Sequence, residues 1–268
     1  QAIAPDVFTV VCLGSASGFE IEHPTTGFAI CLNGQWVIVD APVCASTILR
    51  QHGINVEDVR AVIETHAHED HMGSCAHFLL ECLATGRSFT YVAAEPVFRA
   101  AVAKIAAYRG ESEETVAKEL EARGAVRVRP GEPLRLLGAT WQFVWTVHPI
   151  PTIGFRIELE HGGRTYRVGY SSDTNRDDGF AGTDAMAAAG FFDPADDPFP
   201  KLVRNGDDHA FWEAGGSNGD PIHFHAKGWE AMCERHGIRP NAVTLMHVHP
   251  LPPEYRERYA IARPGDVW

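Results

Sequence analysis

With 268 residues, 45% of them hydrophobic, the chain holds enough apolar mass for a large core, and one α/β domain over residues 1–268 is the expected organisation. No apolar run approaches the ~20 residues of a membrane span, and no charged start leads into an apolar core as in a signal peptide. A formal charge of −12, with Arg and Lys scattered, disfavours polymeric nucleic acid as a partner and favours a small-molecule substrate.

Phe8 to Leu13, Gly27 to Leu32 and Gln35 to Asp40 read as an opening β-meander, with Asn33-Gly34 as a hairpin turn. Ala45 to His52 is a short helix, and the apolar run Val59, Ala61, Val62, Ile63 marks a buried strand ending at Glu64. Directly after it stands Thr65-His66-Ala67-His68-Glu69-Asp70-His71-Met72-Gly73, in which four strong metal ligands fall within six positions. Zinc, iron and manganese all accept imidazole and carboxylate. His66 and His68, two apart on extended chain, can point together at one ion. Asp70 and His71 fall where the chain turns into a helix (Met72 to Leu83), so they face another direction and suit a second ion.

Phe89 to Ala93 is a strand, and helices at Glu95 to Tyr108 and Ser112 to Arg123 are polar enough for a solvated outer layer. Val126 to Arg129, Leu134 to Leu137 and Thr140 to Val147 are strands. Gly154 to Glu160 and Thr165 to Tyr170 pair through His161-Gly162-Gly163-Arg164. Asn175 to Asp208 is irregular, with Phe180, Phe191, Phe192, Pro194, Pro198, Phe199 and Pro200 among Asp and Gly. It reads equally as a wall of an active-site mouth or as a surface insertion packed by its own aromatics. Ala210 to Gly215 is a strand carrying the acid Glu213, His223-Phe224-His225 opens a helix reaching His236, and Val243 to His247 is the last strand.

The six cysteines show no CxxC pairing and sit mostly in apolar runs, as expected of buried free thiols in a reducing cytoplasm, although a Cys12–Cys31 bridge stays open. Residue 1 is Gln, which leaves room for a preceding segment or domain.

At His66, His68, Asp70 and His71 the chain resembles the metallo-beta-lactamase superfamily, whose signature is His-x-His-x-Asp-His. The resemblance covers roughly residues 7 to 250. It implies a four-layer αββα sandwich of two mixed sheets flanked by helices, with the remaining ligands at later strand ends. His148, Asp173 and His247 match those positions. One ion would then be held by His66, His68 and His148 and the other by Asp70, His71 and His247, with Asp173 bridging the two. An acid at Asp40 would support the site from outside the ligand shell. Cys75 could serve as a soft ligand, as in some relatives, or pack inside its helix.

The chain looks like the branch of tRNA 3′-processing endonucleases and related phosphodiesterases. There a Glu and a helix-opening His form a catalytic pair, here Glu213 and His225, the latter twenty-two residues before the final ligand. Trp212 and Ala226-Lys227 depart from that branch's pattern, which leaves a purely structural pair open. The RNA-processing members carry a long arm between the third His and the bridging Asp. His148 to Asp173 leaves no room for one, so an armless enzyme of small cyclic nucleotides is implied. True lactamases use Cys or Ser where Asp173 stands.

The resemblance thus implies a cytoplasmic dinuclear hydrolase, acting through a metal-bridging hydroxide with Asp70, Glu213 and His225 as chemical residues. Zn2+ is the expected ion, with Mn2+ or Fe as alternatives, and a homodimer stays open as the assembly. Other readings are hydrolysis of another small ester, thioester or lactone, a diiron redox or oxygen-binding protein, and an idle metal-bound sensor. Diiron relatives commonly carry Glu where this chain has His68.

Overall fold

The computed structural model describes residues 7–18, 23–87, 89–175, 183–216, 222–247 and 253–268. By contacts the chain divides into two compact units, each built on a six-stranded sheet. Unit 1 is Gln1–Gly14, Ile21–Arg129 and Pro264–Trp268, and unit 2 is Ser15–Glu20 and Pro130–Arg263.

The first sheet runs β1 (Phe8–Gly14), β2 (Gly27–Leu32), β3 (Gln35–Val39), β4 (Val59–Glu64), β5 (Thr90–Ala94), β6 (Val126–Val128), in that spatial order. β1 to β3 form the expected antiparallel meander. Its Asn33-Gly34 turn has both residues at positive φ, 51° and 78°, which a type I′ hairpin needs. From β3 onward the pairing is parallel, and each parallel step requires a crossover. These crossovers are α1 (Ala45–Gln51), then α2 (Glu69–Met72) with α3 (Cys75–Ala84), then α4 (Glu95–Arg109) with α5 (Glu113–Ala122).

β4 is buried almost throughout, which is why it reads as a continuous apolar run. α4 differs from the solvated layer expected of it: Val97, Phe98, Ala101, Val102 and Ile105 are buried, so one face belongs to the core with Leu79 and Tyr91. The chain's last residues return to this unit. Val10 and Trp268 exchange two backbone hydrogen bonds of 2.9 Å, covering the free edge of β1.

The second sheet runs β12 (Thr244–Met246), β11 (His209–Glu213), β10 (Arg164–Tyr170), β9 (Ile153–His161), β8 (Ala139–Trp145), β7 (Pro133–Leu136). β7 to β10 are antiparallel and β10 to β12 parallel, so each unit passes from a meander into parallel strands. Its helices are α6 (Thr183–Ala188), α7 (Phe199–Leu202), α8 (Trp229–His236) and α9 (Pro253–Arg258).

The irregular stretch after Asp173 is thus partly helical, and Phe199 is core: its ring lies 4.7 Å from Trp212 and both are fully buried. α7 lies flat on the sheet because Gly169 has no side chain. A Cβ there would meet the Leu202 carbonyl oxygen at 1.8 Å. Phe180 of that stretch lies outside the described residues.

Two mixed sheets with helices packed on them are the expected α/β architecture. Among the described residues no helix is long and apolar enough to cross a membrane.

Candidate metal centre

In unit 1 the donors sit on the turn between β4 and α3. Asp40, just past β3 and fully buried, organises them. Its Oδ1 accepts from the Thr65 backbone N–H at 2.8 Å, and its Oδ2 accepts from the Thr65 hydroxyl at 2.8 Å and from His71 Nδ1 at 2.9 Å. A carboxylate on Nδ1 fixes the tautomer that presents Nε2 as a lone pair, as metal-ligating His requires. His66 Nδ1 lies 3.1 Å from the Thr65 hydroxyl, which orients the second ring in the same way.

The His66 ring centroid stands 4.9 Å from that of His68 and 4.2 Å from that of His71, and Asp70 Oδ2 is 3.8 Å from His71 Nε2. The sequence predicts one helix over Met72–Leu83. The structure instead has the short α2 ahead of α3, separated by Gly73 and Ser74, so Asp70 and His71 lie on a separate turn. Lys104 of α4 binds both carboxylate oxygens of Glu69, at 3.0 and 2.8 Å, and secures this turn from outside.

Cys75 starts α3 behind the donors, beside Glu64 and Tyr91. Burial and then Glu64 hold its thiol well above the ordinary value, so it packs as a neutral side chain. All six cysteines are free, and Cys44 alone is exposed.

In unit 2, His148, Asp173 and His247 are each at most 1% exposed and follow strand ends. β8 stops at Trp145, two residues before its predicted end, so His148 stands on a loop. That loop is held by Thr146, whose hydroxyl donates to the Asp173 carbonyl at 2.8 Å. Asp173 Oδ2 lies 3.9 Å from His148 Nε2 and 3.4 Å from His247 Nε2.

Glu213, at the end of β11, is fully buried. It accepts from the Thr174 backbone N–H, and its other oxygen is bonded to His223 Nδ1. Burial pushes the Glu213 carboxyl up to about 8, with Asp173 adding to the rise and His223 and the Thr174 N–H opposing it. The partner expected for Glu213 was His225, but the bonded imidazole is that of His223. The fully buried Phe224 and the backbone bond from Gly216 N to the Phe224 carbonyl set the local phase of this segment, and His225 lies 9% exposed just before the 3₁₀ turn Ala226–Gly228. The alternation His-Phe-His was the available signal for His223, because a core Phe leaves both neighbours facing away from it.

Asp173, Glu213, His223 and His247 offer ligand atoms within 4.8 Å of one another, and such a group can hold a metal ion. Three non-glycine residues at or beside these donors have left-handed backbone: Asp40 (φ 49°) in unit 1, and Ser172 (φ 53°) and His247 (φ 56°) in unit 2. Strained backbone of this kind costs of order ~1 kcal/mol per residue and persists where the surroundings impose it. The donor chemistry, imidazoles with fixed tautomers beside buried carboxylates, fits a divalent cation.

Two mixed sheets and these strand-end donors define a metallo-beta-lactamase fold. YhfI of Bacillus subtilis, a metallo-beta-lactamase fold protein, superposes with a TM-score of 0.67 at 17% identity, over 98% of this chain and 99% of that one. The family model for the Anti-Pycsar protein Apyc1 matches residues 8–187, and the chain belongs to that family. It is also 32% identical over 170 residues, 63% of its length, to the cGMP-dependent 3′,5′-cGMP phosphodiesterase A of Dictyostelium discoideum. Over the same length it is 31% identical to the cAMP/cGMP-dependent 3′,5′-cAMP/cGMP phosphodiesterase B of that organism. The matched stretch spans only 18% and 14% of those two relatives.

Proposed function

We propose that this protein is a dinuclear metal-dependent phosphodiesterase that hydrolyses a small cyclic nucleotide. The observation that carries this reading is the pair of fully buried Glu213 and partly exposed His223 beside Asp173, because a carboxylate-backed imidazole is what departure of a poor alkoxide leaving group needs. The relatedness to two cyclic-nucleotide phosphodiesterases points to the substrate class.

In this proposal His66, His68 and His148 would hold one ion and Asp70, His71 and His247 the other, with Asp173 as a donor available to both. Zn2+ best matches the His-rich donors, while Mn2+ and Fe accept the same set. When bound, the ions lower the pKa of water and stabilise negative charge on phosphorus. Asp40 holds His71 in its ligating tautomer, and Thr65 does the same for His66. Glu213 stabilises the imidazolium of His223, which gives its proton to the departing ribose oxygen. His223 replaces His225 in this role because it is the ring bonded to the carboxylate.

A small substrate suits the stretch from His148 to Asp173, which consists of the β9–β10 hairpin and its connections and has no protruding segment to grip RNA. A cytoplasmic location agrees with six free thiols. The test is a panel of 3′,5′-cyclic mono- and dinucleotides, simple phosphodiesters, thioesters and lactones, assayed with zinc-, manganese- and iron-loaded protein. Turnover of cyclic nucleotides above the other classes is expected. Hydrolysis confined to thioesters or lactones would overturn the proposal.

A further inference from the structure

In unit 2 a single hydroxyl ties the backbone of Glu213 to the loop that carries Asp173. Ser171 follows β10 directly and is fully buried. Its backbone N–H continues the parallel pairing by donating to the Phe211 carbonyl at 3.1 Å. Its side chain makes two further bonds to backbone. The hydroxyl oxygen accepts from the Glu213 N–H at 3.0 Å, and the hydroxyl proton goes to the Ser172 carbonyl at 2.6 Å. We propose that Ser171 is a positioning residue for hydrolysis, holding Glu213, and through it His223, in place against Asp173.

The two bonds are half of a closed circuit. It runs from the Glu213 N–H to the Ser171 hydroxyl and on to the Ser172 carbonyl. The chain then carries it past Asp173 to the Thr174 N–H, which donates back to Glu213 Oε2. Glu213 is therefore held at both its backbone and its carboxylate by one loop. Its other oxygen bonds His223 Nδ1, which stands 3.8 Å from Asp173 Oδ2. Ser172, at φ 53°, keeps a left-handed conformation that its surroundings must impose, and the bond from Ser171 fixes the peptide that follows it.

The node must accept and donate at once, which a hydroxyl does and a methyl group cannot. Without it, the buried Glu213 N–H and Ser172 carbonyl lose their partner, and the backbone around them shifts to find others. Asp173 has its own anchor, because the Thr146 hydroxyl donates to its carbonyl at 2.8 Å. Loss of Ser171 therefore moves the Glu213–His223 pair relative to Asp173 and leaves Asp173 itself tied down. The effect on rate rests on the phosphodiesterase reading, but the placement of His223 by Ser171 does not.

The test uses the metal-loaded full chain. Ser171→Ala is expected to lower kcat on a 3′,5′-cyclic nucleotide by about 10–100-fold, with KM and zinc content close to wild type. The rate on a nitrophenyl phosphodiester, whose leaving group needs no proton, should fall far less. In a His223→Ala background the same substitution should leave the ratio of the two rates unchanged, since the residue it acts through is gone. Equal losses on both substrates, or a change of ratio that persists in the His223→Ala background, would overturn the proposal. Should Ser171→Ala fail to fold, Ser171→Cys, with its weaker donor and acceptor, takes its place and the same split decides. A second readout is independent of turnover: the proton in the His223–Glu213 hydrogen bond, assigned as the low-field NMR signal missing from His223→Ala. In the Ser171 variant it should shift and exchange faster with solvent, and an unchanged signal would overturn the placement. A wild type that leaves cyclic nucleotides intact would remove the proposed function, while the NMR comparison would still decide whether Ser171 places His223.

Discussion

Replacing Asp40 by Ala removes the acceptor on which the donor turn of unit 1 is built. The carboxylate takes three hydrogen bonds, from Thr65 N–H, the Thr65 hydroxyl and His71 Nδ1, all within 2.9 Å and at zero exposure. Hydrogen bonds to a charged group contribute ~1.5–3 kcal/mol each, but they do not add fully, and loss of the buried charge offsets part of them. The expected cost to folding is about 3–5 kcal/mol, the range for breaking a buried charged network.

His71 would also lose the partner that fixes its tautomer, which lowers metal affinity by about 10–100-fold. Asp40→Asn keeps the volume and one acceptor oxygen, so about 1–2 kcal/mol and a smaller affinity loss are expected. Urea unfolding of chelator-treated protein measures the first quantity, and zinc competition against a chromophoric chelator measures the second. An Asp40→Ala protein that binds zinc as tightly as wild type would refute the link between Asp40 and the ligand geometry.

His223→Ala should slow hydrolysis of a cyclic nucleotide by about 10²–10⁴-fold and that of a nitrophenyl phosphodiester far less, because only the ribose oxygen needs a proton. His225→Ala should show no such split, and the reverse pattern would return the role to His225. Gly215→Ala places a Cβ 2.3 Å from the His247 carbonyl oxygen and 2.9 Å from its ring, so it should displace His247 and lower metal content; unchanged stoichiometry would contradict that.

In chelator-treated protein, Glu213 keeps its proton up to about 8 when folded and loses it near 4.5 when unfolded, so the folded state binds more protons and stability falls as pH rises between these values. Glu64, raised well above its ordinary value by burial and then Asp40, acts in the same direction. The urea midpoint should therefore fall from about pH 5 to about pH 8, and Glu213→Gln should flatten the slope. A midpoint that rises over that interval would reverse the assigned shifts.

The first unit was the more legible in sequence. Its parallel strands are continuous apolar runs such as Val59–Glu64, its turn is an Asn-Gly pair, and four candidate ligand residues stand together in the chain. The donors of the second unit are scattered at strand ends, and their positions came from the superfamily resemblance. Local pattern misplaced what tertiary packing decides. Thr146 and Val147 continue the alternation of β8, yet the chain leaves the sheet at Trp145 because Thr146 bonds across to Thr152 and Asp173. The branch resemblance pointed to His225, while the ring bonded to Glu213 is that of His223, on the other side of the buried Phe224. Nothing local to Pro264–Trp268 announces a segment that crosses the whole sequence to cover β1, since only the partner strand makes it regular.

The central claim is metal-dependent hydrolysis of a cyclic nucleotide phosphodiester. It is tested most directly by incubating 3′,5′-cyclic nucleotides with zinc- or manganese-loaded wild type and with Asp173→Ala, and following the linear monophosphate by chromatography. Stoichiometric ring opening by wild type, abolished by chelation and by Asp173→Ala, is the predicted result. An unchanged cyclic nucleotide with metal-replete wild type, or ring opening that survives both chelation and Asp173→Ala, would contradict the claim.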